Sequence, residues 1–110
     1  MVANNLLELY VLGHETIAYV DNGCTSCFVR YETAQELGIL KYVVGEQRVD
    51  LIMWSCARTF YMHVVNCLPV QIKGGPKFNL RCKIFRKGEM PRHFFNFMLD
   101  NGTLRHLKTI

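Results

Sequence analysis

Apolar and polar residues alternate along much of this chain, the pattern of half-buried strands rather than of amphipathic helices. Residues 78–85 give the clearest case, with Phe78, Leu80, Cys82 and Ile84 set against Asn79, Arg81 and Lys83. Residues 6–12 (Leu-Leu-Glu-Leu-Tyr-Val-Leu) and 16–20 (Thr-Ile-Ala-Tyr-Val) are rich in strand formers and flank a turn at Gly13-His14-Glu15. Further extended segments are predicted at 24–29, 40–44, 49–54, 60–67 and 70–72, with Pro69 marking an edge or a bend. Lys73-Gly74-Gly75-Pro76 is the plainest turn in the chain.

Two segments break the strand pattern. In 32–37, Ala34 and Leu37 stand three apart with Gly38 just beyond, which predicts a short helix with a glycine stop. Further on, Pro91 suits a first helical turn, and Phe94, Phe95, Met98 and Leu99 fall at helical spacing. A C-terminal helix is therefore predicted, with Gly102 as its stop and 103–110 as a tail able to form a last strand. The expected fold is all-β, a closed barrel with one short internal helix and a C-terminal helix.

The 110 residues suffice for one domain, and no linker or low-complexity stretch divides them, so 1–110 is read as a single unit. Half of the residues are hydrophobic and a fifth are charged, which excludes a disordered tail and a coiled coil. No apolar run approaches the ~20 residues of a membrane-spanning helix. The first seven residues lack a secretory pattern. Five cysteines, an odd number, fit reduced thiols and a cytoplasmic or nuclear location. Charge is uneven: four Lys/Arg face seven Asp/Glu up to Gln71, and nine face two from Ile72 onward. A basic final third suits either a solvated face or an anionic partner such as RNA.

Several constellations carry chemistry. Cys24-Thr25-Ser26-Cys27 has redox spacing, but Phe28 and Val29 continue a strand where thioredoxin-like chemistry needs a helix start. The same pair with His63 and Cys67 would supply four zinc ligands, a weak signal from one spaced pair. Trp54, Phe60 and Tyr61 are candidates for base stacking or for core. His14 and His93 have no nucleophile and carboxylate at suitable spacing. Asp21-Asn22-Gly23 between two extended runs reads locally as a hairpin turn.

The surroundings of Asp21 change that reading. Ile17-Ala18-Tyr19-Val20-Asp21-Asn22-Gly23-Cys24, then Ser26-Cys27-Phe28-Val29, then a short helix closing on Leu37-Gly38-Ile39, resembles the N-terminal half of a retropepsin-like aspartic protease. That family is the dimeric one of retroviruses and retrotransposons. The close likeness covers about thirty residues, and beyond Leu40 only the β-rich character agrees. The resemblance implies a symmetric homodimer in which Asp21 meets its own copy, with Asn22 and Gly23 in the active-site loop. Two carboxylates so placed share a proton, and the ionised one activates a water. Gly23 lets the two backbones approach. No cofactor, metal or membrane is implied; the expected partners are a second copy and a peptide or protein.

Three features depart from the family pattern. Asn22 replaces the Thr or Ser that follows the catalytic Asp. The flap region, about 53–59, has no glycine at its tip. The apolar pair and Gly expected before the C-terminal helix find only Arg86-Lys87-Gly88. Together they point to a retroelement-derived pseudoprotease, a homodimerisation and protein-interaction module with lost or reduced catalysis. The alternative is an active dimeric aspartic endopeptidase using one Asp per protomer. A third reading, an RNA-binding module, rests on the basic final third alone.

Overall fold

The computed structural model describes residues 6–21, 26–53, 56–90, 96–100 and 102–103. Among the described residues, seven strands form one sheet in the order β1-β2-β7-β3-β6-β5-β4, and β1 also pairs with β5, so the sheet curls back on itself. The strands are β1 (Leu6–Val11), β2 (His14–Asp21), β3 (Phe28–Val29), β4 (Gly45–Met53), β5 (Cys56–Ile72), β6 (Lys77–Ile84) and β7 (Phe97–Asp100). One helix, α1 (Tyr31–Leu37), and a 3-10 turn (Ile39–Tyr42) join β3 to β4. No helix among the described residues is long and apolar enough to cross a membrane.

Alternation along the strands sorts the apolar side chains into two clusters. The larger is the interior, with Leu9, Val11, Ala18, Val29, Ile84 and Leu99 among its members, and Ala34, Leu37 and Ile39 joining it from the helical segment. The smaller gathers Phe28, Val49, Phe60, Met62, Phe85, Met90 and Met98. Phe28 and Val29 are both buried, one in each cluster, because successive residues of a strand face opposite ways.

The first hairpin turns one residue earlier than its glycine pattern predicts. Val11 pairs with His14, which leaves Leu12 and Gly13 at the turn with φ of 50° and 85°. Both residues are left-handed, as a two-residue hairpin turn requires. Leu12 accepts this conformation while its side chain packs against the interior cluster. Helix α1 ends as expected: Gly38 has φ 80°, and its N–H donates to Gln35 O at 3.3 Å. Residues 40–44 do not form a strand. The 3-10 turn occupies Ile39–Tyr42, and the ladder with β5 begins only where Val44 N–H donates to Val64 O at 2.9 Å.

Strand β5 runs unbroken through Pro69. Its first part pairs with β4 and its last residues with β1, so 65–69 have β6 on one side and no described strand on the other. Proline is tolerated at such an edge. A bulge between Val65 and Leu68 resets the alternation, and Val65, Leu68 and Val70 all reach the interior.

The C-terminal helix expected over 94–99 is contradicted where the chain is described. Phe97, Met98 and Leu99 form β7, inserted between β2 and β3, parallel to the first and antiparallel to the second. All three are buried, Phe97 and Leu99 in the interior and Met98 in the smaller cluster. A short apolar run fits a strand covered on both faces as well as it fits a helix, and burial on both sides decides for the strand. Helical backbone begins at Gly102–Thr103, so Gly102 lies in a helix start rather than a stop. Residues 91–95 and 104–110, with the predicted start of the C-terminal helix and the last strand, lie outside the described residues.

Candidate functional site at the ends of β2 and β7

Asp21 is the last residue of β2 and is half-buried; Asn22, Gly23 and Cys24 lie outside the described residues. The hairpin reading of this Asp-Asn-Gly does not hold, because β7 separates β2 from β3. Asp21 is instead in register with Asp100, the last residue of β7, and Val20 with Leu99. Neighbouring strands lie about 4.8 Å apart, and in-register residues share a face. Asp21 and Asp100 therefore leave the sheet on the same side, the side of Tyr19 and Met98.

Asp100 is held by its own end of the chain. Its carboxylate accepts from Thr103 N–H at 3.2 Å, from the Thr103 hydroxyl, and from Cys27 Sγ at 3.2 Å. A side-chain oxygen taking the N–H three residues on is the geometry of a helix N-cap. A Cβ at position 102 would stand 3.1 Å from the Asp100 carboxylate, so Gly102 gives the cap room. Partial burial pushes the Asp100 carboxyl up, but the donors Thr103 and Cys27 outweigh it and the net shift is down. Cys27 itself is buried, and burial pushes its thiol up to about 12. Cys82 is likewise raised to about 12 by burial, and next by Cys27. Such thiols are packing groups, not redox nucleophiles.

Asp100 was hidden in the sequence because 94–99 reads as helical, which turns Asp100-Asn101-Gly102 into a helix end. The legible signal was a second Asp-Asn-Gly following an apolar run. Placement of β7 also corrects one departure noted above. Gly88 sits in a turn after β6, with φ 79°, while Met98 and Leu99 supply the apolar pair beside the β2 end.

The face that bears Asp21 continues across the sheet. Register links Phe28 to Met98 and to Lys83, and Lys83 to Val64. Over its middle lies the β4–β5 hairpin, whose Val49, Phe60 and Met62 pack on Phe28, Phe85 and Met98. The Phe60 and Phe85 rings meet edge to face, with centroids 5.2 Å apart. Beyond this seal is a pocket of about 380 Å³, lined by Ser26, Gln47, Asn66, Arg81, Lys83 and Asp100 among others.

Other candidates are not brought together. Phe60 is buried while Tyr61 is half exposed on the opposite face, so they form no stacking platform; Trp54 lies outside the described residues, as do Cys24 and His93. Cys27 is buried, Cys67 is exposed, and His63 Nδ1 stands 3.6 Å from Glu46. Among the described residues, no three His, Cys, Asp or Glu gather as a metal site. His14 is exposed at the start of β2.

A seven-stranded sheet with β7 threaded between β2 and β3, and with an Asp at the end of β2, is the retropepsin-like fold. The chain is similar to the retroviral protease-like domain of Ddi1 from Leishmania major. The two superpose with a TM-score of 0.62 at 12% identity, covering 92% of this chain and 72% of that one. No protein-family model and no curated protein matches the sequence.

Proposed function

We propose that this domain is a retropepsin-like homodimerisation and protein-interaction module with lost or much reduced peptidase activity. The observation that carries the reading is the sealed hairpin: apolar side chains of β4 and β5 occupy the face beside Asp21, where a substrate strand would lie. The glycine-free hairpin tip and Asn22 after the aspartate agree with it. For pairing, Ile17 is 55% exposed and shares its face with Tyr19 and Asp21. For a partner, β4 ends the strand order, and its outer edge pairs with no other described strand. An extended peptide can add there through main-chain hydrogen bonds.

A second reading, an active aspartic endopeptidase, is favoured by the position of Asp21 at the end of β2. One experiment separates the two. The wild-type domain and Asp21→Asn are sized by light scattering and incubated with a peptide library from pH 3 to 7. A dimer that cleaves nothing in either form supports the module. Cleavage at acid pH by the wild type, abolished in Asp21→Asn, replaces it with the enzyme. A monomer overturns the dimer.

A further inference from the structure

We infer that the pocket next to the sealed hairpin reads an acidic side chain, so that the peptide held by this domain carries Asp or Glu; this rests on the peptide-holding reading above. Two cations, Arg81 and Lys83, line this one pocket, whereas several others of the described structure are engaged by neighbours. Arg48 pairs with Asp50, Arg58 with Glu89, Arg86 with Glu46, and Lys73 with Glu8 and Glu15. Lys41 lies over the Tyr42 ring. Arg81 and Lys83 stand two apart on β6, so both side chains leave the same face, and both line the pocket. Neither pairs with a carboxylate among the described residues; the Lys83 ammonium reaches only Ser26 Oγ, at 3.4 Å.

The acid in the pocket, Asp100, offsets one of the two charges and forms no ion pair with either cation; its carboxylate accepts from Cys27 and from Thr103 twice, so the lining keeps an excess of one positive charge. The remaining polar lining, Gln47, Asn66 and Ser26, supplies further donors of the kind a carboxylate takes. Lys83 is half-buried, so its charge is screened less than a surface lysine's. Position adds a second argument. Gln47 belongs to β4, the strand with the open edge, and its side chain faces the pocket. In a peptide added along β4, alternate residues fall on that same face. An acidic residue in that phase stands on the same face as Arg81 and Lys83, across β4 and β5, within reach of long side chains that lean along that face.

The test uses fluorescently labelled ten-residue peptides of strand-forming sequence, with Asp and Glu at alternate positions or with Asn and Gln there instead. Binding is read by polarisation at 50 and 300 mM salt. The expected result is about tenfold tighter binding of the acidic form, weakening with salt. Arg81→Gln or Lys83→Gln should each remove most of that preference, while Lys87→Gln, outside the pocket, keeps it. Arg81→Lys should retain part of it. Equal affinity for the two forms, or a preference that survives both substitutions, overturns the acidic reading and leaves peptide holding intact. Failure of every peptide to bind overturns both. A labelled single-stranded RNA that binds more tightly, and is lost in the same variants, assigns the pocket to nucleic acid and overturns the proposal. The salt and peptide comparison on the wild type stands even if a variant does not fold.

Discussion

Asp21 and Asp100 end neighbouring parallel strands in register, and each is followed by Asn-Gly. Topology, not chain proximity, brings them together. β7, the last of the described strands, enters between β2 and β3, so Asp100 stands one strand away from Asp21, 79 residues earlier in the sequence. Their surroundings differ. Asp100 is tied to Cys27 and Thr103 and caps a helix start, whereas Asp21 is the half-buried last residue of β2.

The cap has a measurable value. Asp100→Ala should cost about 1 kcal/mol of stability in urea unfolding, the usual loss for an N-cap acid, and Asp100→Asn, which keeps an acceptor, should cost less.

That difference should depend on pH in one direction. The folded Asp100 carboxyl is held below its ordinary value of 3.8, so its contribution is complete above that pH. It is lost as pH falls through the lower folded value. The stability gap between wild type and Asp100→Ala should be constant from pH 5 to 7 and shrink below about pH 4. A gap that grows on acidification contradicts the assignment.

The seal over the Asp21 face should depend on Phe60. The residue is 1% exposed, and its ring meets both the Phe85 ring and the Arg58 guanidinium. Phe60→Ala should cost about 3–5 kcal/mol and speed hydrogen exchange in β4 more than in β1 and β2. Uniform acceleration across the sheet would mean that the hairpin is part of the general core.

Thiol reactivity should divide the cysteines. With the thiols of Cys27 and Cys82 raised to about 12, roughly one molecule in ten thousand carries either thiolate at pH 8. Iodoacetamide should label the exposed Cys67 in the native protein and reach the other two only after unfolding. Rapid native labelling of Cys27 would show that the Asp100 end opens readily.

Gly38 should tolerate no side chain without loss. At φ 80°, alanine costs about 1 kcal/mol or more, although its Cβ would meet only Leu12 Cδ1, at 3.9 Å. The measured loss is then a backbone cost, and thermal unfolding of Gly38→Ala and Gly38→Asn should rank asparagine as the milder.

Local chemistry wrote much of this architecture directly. The alternation of 78–85, the Lys73–Pro76 turn and the glycine stop at Gly38 all depend on neighbours within a few residues, and each appears where the pattern placed it. So does the strand that delivers Asp21, whose flanking motif carried the fold assignment. The run at 97–99 was different, because three buried apolar residues satisfy a helix or a covered strand equally until something packs on both sides. Only β2 and β3 closing around β7 decided it, and with it the position of Asp100. The same holds for the sealed hairpin and the cationic pocket. Val49, Phe60 and Phe28 are far apart in the chain, as are Gln47 and Lys83. Their meeting is a property of register between strands, which no local pattern encodes.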